Sequence, residues 1–300
     1  MVQSMRGGGN ISYHTPGPPG LRGLIVKDLP PTDDFRIDIS SLREMVKDVN
    51  PKLFVVGGSK ILFPFRLKEL REIADEIDAK ILYDGAHIGP LITSGMFQDP
   101  LREGADILTT GTHKLMGGPV GGMILTNDEV LAREVLQLTY PAFIQTRDQN
   151  KYAAAAYVLA EMLEFGKEYA RQIVSNAKAL ARALDREGFD IVGKDKGYTM
   201  THQVFIDAKD LGAAKVEKAC LECNLLLHKT YLLGDEKTGV PRGLRLSVQE
   251  TTRLGMKEKE MEQVAHFIRR AVDGEETDKI ADKIEEFLKD FQTIPYSFEK

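Results

Sequence analysis

The sequence predicts an α/β protein with a second, smaller α+β domain. Segments of helical period alternate with short strand-like segments between residues 39 and 125. A proline-free segment rich in alanine, leucine, glutamate and lysine follows at Gln149–Arg186, and short strand candidates interleaved with helices come after it. Alternating strands and helices require crossover connections, and therefore a largely parallel sheet. We expect a first domain at residues 1–165 and a second at residues 166–300.

The first domain opens with a stretch that we expect to be loop, because Gly7-Gly8-Gly9 and Pro16-Gly17-Pro18-Pro19-Gly20 favour turns. A helix predicted at residues 67–77 is amphipathic, so one face should lie against the sheet. Asn127-Asp128-Glu129 should begin another helix, since acidic side chains favour the positive end of the helix dipole. The other predicted elements are helix Ile39–Val49 and strands 53–56, 81–83, 107–109 and 123–125.

The second domain follows a long helix predicted at Gln149–Arg186, in which Gly166 is a candidate position for a break. Helices are expected at residues 213–223 and 257–272. A last helix at 278–291 should dock on the body of the domain, because its apolar side chains share one face. These side chains are Ile280, Ile284, Phe287, Leu288 and Phe291. The strands predicted in this domain are 190–192, 202–206, 225–227 and 244–246.

Composition excludes several classes of function. The formal charge is -5, the sequence pI is about 5.8 and basic residues are scattered among acidic ones, so no nucleic-acid partner is expected. No apolar run is long enough for a bilayer, and the amino terminus lacks the features of a secretory signal, so we expect a cytoplasmic protein without membrane contact. Cys220 and Cys223 are the only cysteines and favour helix packing, with a metal or redox role as the alternative.

Two charged residues at predicted strand ends indicate a pyridoxal phosphate (PLP) site. Lys114 follows the strand at 107–109 and precedes glycines at positions 117, 118, 121 and 122. Burial there would favour the neutral amine, which forms an imine with an aldehyde. Asp84 ends the strand at 81–83, where its carboxylate could keep a pyridine nitrogen protonated. The alternatives are a lysine that closes a strand and an aspartate that caps a helix.

Four further residues are candidates for the same site. His87 lies three residues after Asp84, His113 precedes the lysine, and Ser59 follows the strand at 53–56, where it could reach the phenolic oxygen of the cofactor. Arg245 lies inside an apolar strand candidate, where an unpaired guanidinium would be costly. A planar fork matched to a substrate carboxylate explains this position, with an internal salt bridge as the alternative.

The chain resembles serine hydroxymethyltransferases, PLP-dependent transferases of fold type I, from about residue 7 to 272. The resemblance implies that Lys114 bonds the cofactor, Asp84 pairs with the pyridinium, His87 and Ser59 contact the ring, and Arg245 holds the amino-acid carboxylate. It also implies a homodimer, a partial PLP-binding large domain and a small carboxyl-terminal domain. The stretches that carry it are Gly57-Gly58-Ser59, residues 70–77, residues 84–91, Thr109-Thr110-Gly111-Thr112-His113-Lys114, Gly121-Gly122-Met123-Ile124, Gly243-Leu244-Arg245-Leu246 and residues 264–268.

The expected reaction transfers a hydroxymethyl group between serine and tetrahydrofolate, or a related pterin. The family is longer at its amino end, where it carries the phosphate-binding loop, so the chain is interpreted as truncated. In the family a histidine stacks on the cofactor ring; this chain has Asn10 at that position, and His14 could take the role of the histidine. The sequence of the family's folate loop is also changed, at residues 234–241. Two alternatives remain open: a PLP-dependent aldolase that acts on β-hydroxy amino acids without folate, and a catalytically silent chain or assembly partner.

Overall fold

The computed structural model describes residues 1–146 and 148–298, which divide into two compact units. The first unit comprises Met1–Thr32 and Arg36–Glu164, and the second comprises Asp33–Phe35 and Phe165–Lys300. The strands are β1 Val2–Gln3, β2 Asp28–Leu29, β3 Leu53–Gly57, β4 Lys80–Asp84, β5 Ile107–Gly111, β6 Gly122–Leu125, β7 Asp190–Ile191, β8 Gln203–Asp207, β9 His228–Thr230 and β10 Gly243–Ser247. The helices are α1 Pro18–Leu21, α2 Ile39–Val49, α3 Leu67–Glu76, α4 Gly89–Thr93, α5 Pro100–Glu103, α6 Glu129–Gln137, α7 Gln149–Arg186, α8 Ala213–Glu222, α9 Gln249–Arg253, α10 Glu258–Val272 and α11 Thr277–Leu288.

The sheet of the first unit has the strand order β2-β1-β3-β4-β5-β6. Neighbouring strands are parallel from β2 to β5, and β6 is antiparallel to β5. The predicted α/β class with a mostly parallel sheet is therefore confirmed. Parallel strands end at the same edge, so the residues after β3, β4 and β5 lie side by side.

Local sequence explains the helices that cover this sheet. The Asp38 side chain accepts hydrogen bonds from the backbone N–H groups of Ser40 and Ser41 and begins α2, and Asn50 ends it in a left-handed conformation. Asp128 caps α6 in the same way, which confirms the predicted helix start. The amphipathic face predicted for α3 is buried, with Leu67, Leu70, Ile73 and Ala74 inside.

The prediction that the glycine- and proline-rich opening is loop was wrong in part. Val2 and Gln3 pair with Asp28 and Leu29 in parallel, and Val55 N donates to Met1 O at 2.9 Å, so the opening adds β1 and β2 to the edge of β3. Residues Ile11–Tyr13 form a 3-10 turn and Pro18–Leu21 a single helical turn. Strand pairing here satisfies backbone groups that turn-forming residues alone would leave to water.

The second unit contains an antiparallel sheet with the order β7-β8-β10-β9. The strand predicted at residues 225–227 was wrong: the strand is His228–Thr230, and Leu225 N instead donates to Cys220 O at the end of α8. Asn224 has a φ of 62°, which ends the helix and delays the strand. The segment Asp33–Phe35 belongs to this unit, because Asp34 pairs with Lys196 at 3.1 Å and the Phe35 ring lies 4.7 Å from that of Phe205.

Helix α7 has the predicted bounds and is continuous through Gly166, so the candidate break is absent within residues 149–186. Its second half buries apolar side chains such as Tyr169, Ile173 and Leu184, which stabilise the helix by packing. The last helix docks through part of the predicted face: Ile280 and Ile284 are buried, and the Phe287 ring lies 5.8 Å from that of Phe267. It ends at Leu288, which is 39% exposed, so the predicted end at residue 291 was wrong.

Both cysteines are buried thiols, and burial raises the pKa of Cys220 to about 12. Among residues 1–146 and 148–298, no group of three or more His, Cys, Asp or Glu side chains is arranged to hold a metal ion. The packing interpretation of these cysteines is therefore favoured. Within the same described residues, every helix is too short or too polar to cross a bilayer.

Candidate active site

The carboxyl ends of β3, β4 and β5 form one polar edge of the first unit. Gly57, Asp84 and Thr109 lie opposite one another across the three strands. Gly57 has a φ of 91°, and a Cβ atom on it would lie 2.3 Å from the Asp84 carbonyl oxygen. Only glycine fits there, so the chain can turn immediately after β3 and bring Ser59 to the same edge.

Asp84 is the buried carboxylate of this edge, with only 5% of its surface exposed. Its Oδ1 accepts a hydrogen bond from Ala86 N at 3.0 Å. Burial raises the pKa of the Asp84 carboxyl, while the Ala86 hydrogen bond and the positive charge of Lys114 lower it. Because burial is the largest of these effects, the ionised carboxylate would be stabilised by an additional cationic partner.

Lys114 is held by a tightly hydrogen-bonded turn after β5. Thr112 N donates to Gly121 O at 3.1 Å, Gly118 N donates to Thr112 O at 2.8 Å, and the Thr112 hydroxyl donates to Pro119 O at 2.6 Å. Gly117 N donates to the Lys114 carbonyl at 3.1 Å. Gly117 itself has a φ of 74°, in the left-handed region. The turn therefore fixes the backbone of Lys114, which is half-buried and close enough to Asp84 to act on its charge.

The three other candidates in the first unit differ in their surroundings. Ser59 Oγ accepts a hydrogen bond from Asn10 Nδ2 at 3.2 Å, and Ser59 N donates to Gly8 O at 2.7 Å. His87 is half-buried in the turn between β4 and α4. His113 is exposed, with its Nδ1 3.4 Å from Gly121 O. Ser59 is thus packed against the glycine-rich opening, whereas His113 faces solvent.

The opening segment places Tyr13 at this edge, a residue that the sequence analysis missed. Its side chain lies near those of Thr109 and Asp84, and burial together with the Asp84 charge raises the pKa of Tyr13 to about 12. His14 instead has its Nε2 3.2 Å from Gln3 O and its Nδ1 3.6 Å from Asp28 Oδ1. The suggestion that His14 substitutes for a ring-stacking histidine therefore loses support. An aromatic residue three positions after Asn10 was the available signal.

Arg245 lies in the second unit, at the centre of β10. It is opposite Phe205 on β8 and His228 on β9, and it is half-buried. Burial lowers the pKa of its guanidinium, so ionisation of Arg245 is disfavoured relative to an exposed arginine. A carboxylate that binds it would offset this loss.

Comparison with known proteins identifies the family. A sequence profile of serine hydroxymethyltransferases matches residues 29–268. The serine hydroxymethyltransferase of Pyrococcus horikoshii is 43% identical over 303 residues, which cover 97% of this chain and 71% of the relative. That of Methanocaldococcus jannaschii is 41% identical and covers 100% of this chain and 72% of the relative. The chain thus spans about seven-tenths of the length of these relatives.

The fold matches a solved structure over almost its whole length. The crystal structure of L-threonine transaldolase from Pseudomonas fluorescens, in its internal aldimine state, superposes with a TM-score of 0.87. It is 32% identical, and the match covers 99% of this chain and 68% of that one. From the profile, the relatives and the fold, the chain belongs to the serine hydroxymethyltransferase family of fold-type I PLP-dependent enzymes.

Proposed function

We propose that the chain binds PLP and transfers a hydroxymethyl group between serine and tetrahydrofolate or a related pterin, leaving glycine. The observation that carries this proposal is the buried Asp84 carboxylate at the carboxyl edge of the sheet, within electrostatic range of Lys114. Family membership supports the same assignment.

The residues at this edge fit the functional groups of PLP. The cofactor presents an aldehyde, which a lysine amine binds covalently, and a pyridine nitrogen, which a carboxylate keeps protonated. Asp84 supplies the carboxylate from the end of β4, and Lys114 supplies the amine from the turn after the neighbouring strand β5. When bound, PLP supplies an electron sink for negative charge that develops at the amino-acid Cα atom.

In this proposal each residue has a separate task. The Lys114 amine would hold the cofactor through its aldehyde carbon. Asp84 would hold the ring nitrogen of the cofactor in its protonated form, and that positive charge would offset the burial that raises the Asp84 pKa. Ser59, His87 and His113 are proposed cofactor contacts, with Ser59 oriented by its hydrogen bond from Asn10.

Arg245 is the proposed ligand of the substrate carboxylate. Its guanidinium is half-buried on an antiparallel sheet, and a carboxylate is a planar, oppositely charged partner for it. Lysine at this position would keep the charge but lose the two parallel hydrogen bonds. The proposal therefore assigns α-amino acids as the substrate class.

A second candidate is an aldolase that cleaves or exchanges the side chain of a β-hydroxy amino acid without a pterin. The similarity to L-threonine transaldolase, at a TM-score of 0.87, favours it. The two candidates share the tasks of Lys114, Asp84 and Arg245, and they differ in the acceptor of the carbon unit. Threonine turnover without added pterin would select the aldolase, and serine turnover that requires tetrahydrofolate would select the transferase.

A homodimer is also proposed, on the evidence of an apolar flank of the first unit that is open to solvent. The flank is formed by β6, α6, residues 138–144 and the first half of α7. Residues of this flank line a cavity of about 460 Å³ together with residues 119–121 of the turn before β6. An exposed apolar surface of this kind is typical of a protein interface. Its most exposed members are Val130, Leu136, Leu138, Phe143, Tyr152 and Leu163.

The experiment that tests the proposed function follows the cofactor directly. The purified chain is incubated with PLP, reduced with borohydride and digested, and the labelled peptide is identified by mass spectrometry. We expect the pyridoxyl label on Lys114 and serine-dependent changes in the absorbance of the bound cofactor. A chain that binds no PLP at any concentration would support the silent chain or assembly partner instead.

A further inference from the structure

Arg242 is the last residue of the loop between β9 and β10, residues 231–242. Its side chain hydrogen-bonds to other residues of this loop and to the end of β8. Its Nε donates to Asp207 Oδ2 at 2.8 Å, its Nη1 to Asp235 Oδ1 at 2.6 Å and its Nη2 to Leu233 O at 3.0 Å. Its backbone N–H donates to Asp235 Oδ2 at 3.1 Å, and its carbonyl accepts from Ala208 N at 2.9 Å. Main chain and side chain of Arg242 are therefore both fixed, immediately before β10 begins.

Asp235 is the buried partner in this arrangement, with 2% of its surface exposed. Besides Arg242, it accepts a hydrogen bond from Leu232 N at 2.8 Å. Gly234 has a φ of 100°, and a Cβ atom there would lie 3.4 Å from Arg242 Nη1. A buried carboxylate depends on its counter-charge, so the fold of the loop depends on Arg242.

The same contacts fix the register of β10. This strand lies between β8 and β9, and its first residue, Gly243, is opposite Asp207 and Thr230. Arg242 therefore binds β8 at the point where pairing starts. Side chains alternate between the faces of a strand, so a shift by one residue would move Arg245 to the face where Leu244 and Leu246 are buried.

We infer that Arg242 is a positioning residue for Arg245, and that its ion pairs with Asp235 and Asp207 set the face and register at which Arg245 meets the substrate carboxylate. This inference rests on the proposed function, in which Arg245 binds that carboxylate. Arg242 itself does not touch the substrate in this account. Its effect on affinity passes through β10, which begins directly after Arg242 and contains Arg245.

The first measurement needs neither cofactor nor substrate. Hydrogen exchange is followed at the amides of residues 243–247 in the parent chain, in Arg242→Met and in the matched control Arg186→Met. Arg186 also pairs with a carboxylate in the second unit, with Nη2 2.7 Å from Glu262 Oε1, but this pair is exposed. We expect faster exchange in β10 for Arg242→Met alone. Exchange in β10 that equals that of the parent would overturn the inference.

The second measurement separates positioning from general stability. Serine affinity is followed by the absorbance of PLP-loaded protein for Arg242→Met, Arg245→Met and the double variant. We expect Arg242→Met to weaken serine binding by about tenfold, which lies within the range of interaction energies measured between neighbouring residues. Once Arg245 is replaced, Arg242→Met should cause no further loss of affinity. The absorbance of bound PLP before serine is added should be unchanged.

The outcomes distinguish the inference from the proposed function. Equal losses from Arg242→Met in both backgrounds would mean that Arg242 acts independently of Arg245, which overturns the inference. Unchanged serine affinity in Arg245→Met alone would instead overturn the role of Arg245 in the proposed function. If Arg242→Met does not fold, Arg242→Lys serves in its place, because it keeps the charge and removes the planar fork. It should give a smaller change in the same direction in both measurements.

Discussion

The carboxyl edge of the first-unit sheet and the β9–β10 loop of the second unit differ in what sets the pKa of their charged residues. At the edge, burial has the largest effect and raises the pKa of Asp84. In the loop, the hydrogen bond to Asp207 has the largest effect and raises the pKa of Arg242, which keeps it charged. The hydrogen bond to Asp207 thus stabilises the charged form of Arg242, whereas burial destabilises the charged form of Asp84.

This difference separates ligand sites from internal ion pairs. Arg245 shows it three residues after Arg242: burial lowers the pKa of Arg245, whereas the hydrogen bond to Asp207 raises the pKa of Arg242. Charged groups whose ionised form is disfavoured in the folded protein gain most from a ligand of opposite charge. By this criterion Asp84 and Arg245 are the groups that a ligand would stabilise, and Arg242 is not.

The largest expected effect belongs to Lys114. Lys114→Ala should abolish the borohydride-stable label and serine turnover, because no other group at the edge is proposed to bind the cofactor aldehyde. Lys60 provides the comparison, since it also follows a strand of this sheet, β3, and is buried, with its Nζ 3.3 Å from Arg6 O. Peptide mapping decides between them. A label that persists in Lys114→Ala and maps to Lys60 would contradict the proposed site.

Asp84→Asn should lower turnover but raise the thermal stability of the cofactor-free chain. We expect turnover to fall by about 10²–10³-fold, the size typical of losing one preorganised electrostatic partner of the reacting charge. The cofactor-free variant should unfold at a higher temperature than the parent at neutral pH, because the amide removes a buried carboxylate whose ionisation is disfavoured.

The pH dependence of that stability has a definite sign. Asp84 has a folded pKa above its usual 3.8, so the folded chain binds the proton more tightly than the unfolded chain. The parent therefore loses stability as pH rises from about 3.8 through the folded pKa, and Asp84→Asn does not. The gap between their melting temperatures should open over this range. A gap that is constant with pH would contradict the burial argument.

Arg245→Ala should weaken amino-acid binding by about 2–5 kcal/mol, the loss typical of removing one partner of a desolvated charge pair. The absorbance of bound PLP should be unaffected, because Arg245 is proposed to contact only the substrate. Titration with serine measures the change. Arg186→Ala, which removes an exposed ion pair with Glu262, should leave the affinity as it is.

Sequence patterns predicted the fold well where periodicity and capping act locally. Helix α2 and helix α7 have the predicted bounds, and Asp128 begins α6 as expected. Two short strands in the opening were missed because they form only by long-range pairing: β1 pairs with β3 between residues 53 positions apart, and β2 pairs with β1 between residues 26 positions apart. Such long-range pairing leaves little signal in a glycine-rich segment.

For the candidate site, the sequence predicted residue types and strand ends but not their neighbours. Asp84 and Lys114 were found because they follow apolar strands. Tyr13 was missed because its approach to Thr109 depends on the course of the opening segment. Arg242 was missed because its partners, Asp207 and Asp235, lie 35 and 7 residues away, and nothing in a single sequence pairs them.

The smallest expected effect concerns Asp38, an exposed carboxylate with partners of its own. Hydrogen bonds from the hydroxyl groups of Ser40 and Ser41 and from their backbone N–H groups lower the pKa of Asp38 to about 2. Its folded pKa lies below the usual 3.8, so its contribution to stability is present above that value and is lost as pH falls through about 2. This pH dependence is the opposite of that expected for Asp84, although both residues are aspartates.

Asp38→Ala should lower the melting temperature slightly at neutral pH, and Asp38→Asn should lower it less because the amide oxygen still caps α2. Thermal unfolding between pH 2 and pH 7 measures this, and a stabilising Asp38→Ala substitution would show that burial is not what separates the two carboxylates.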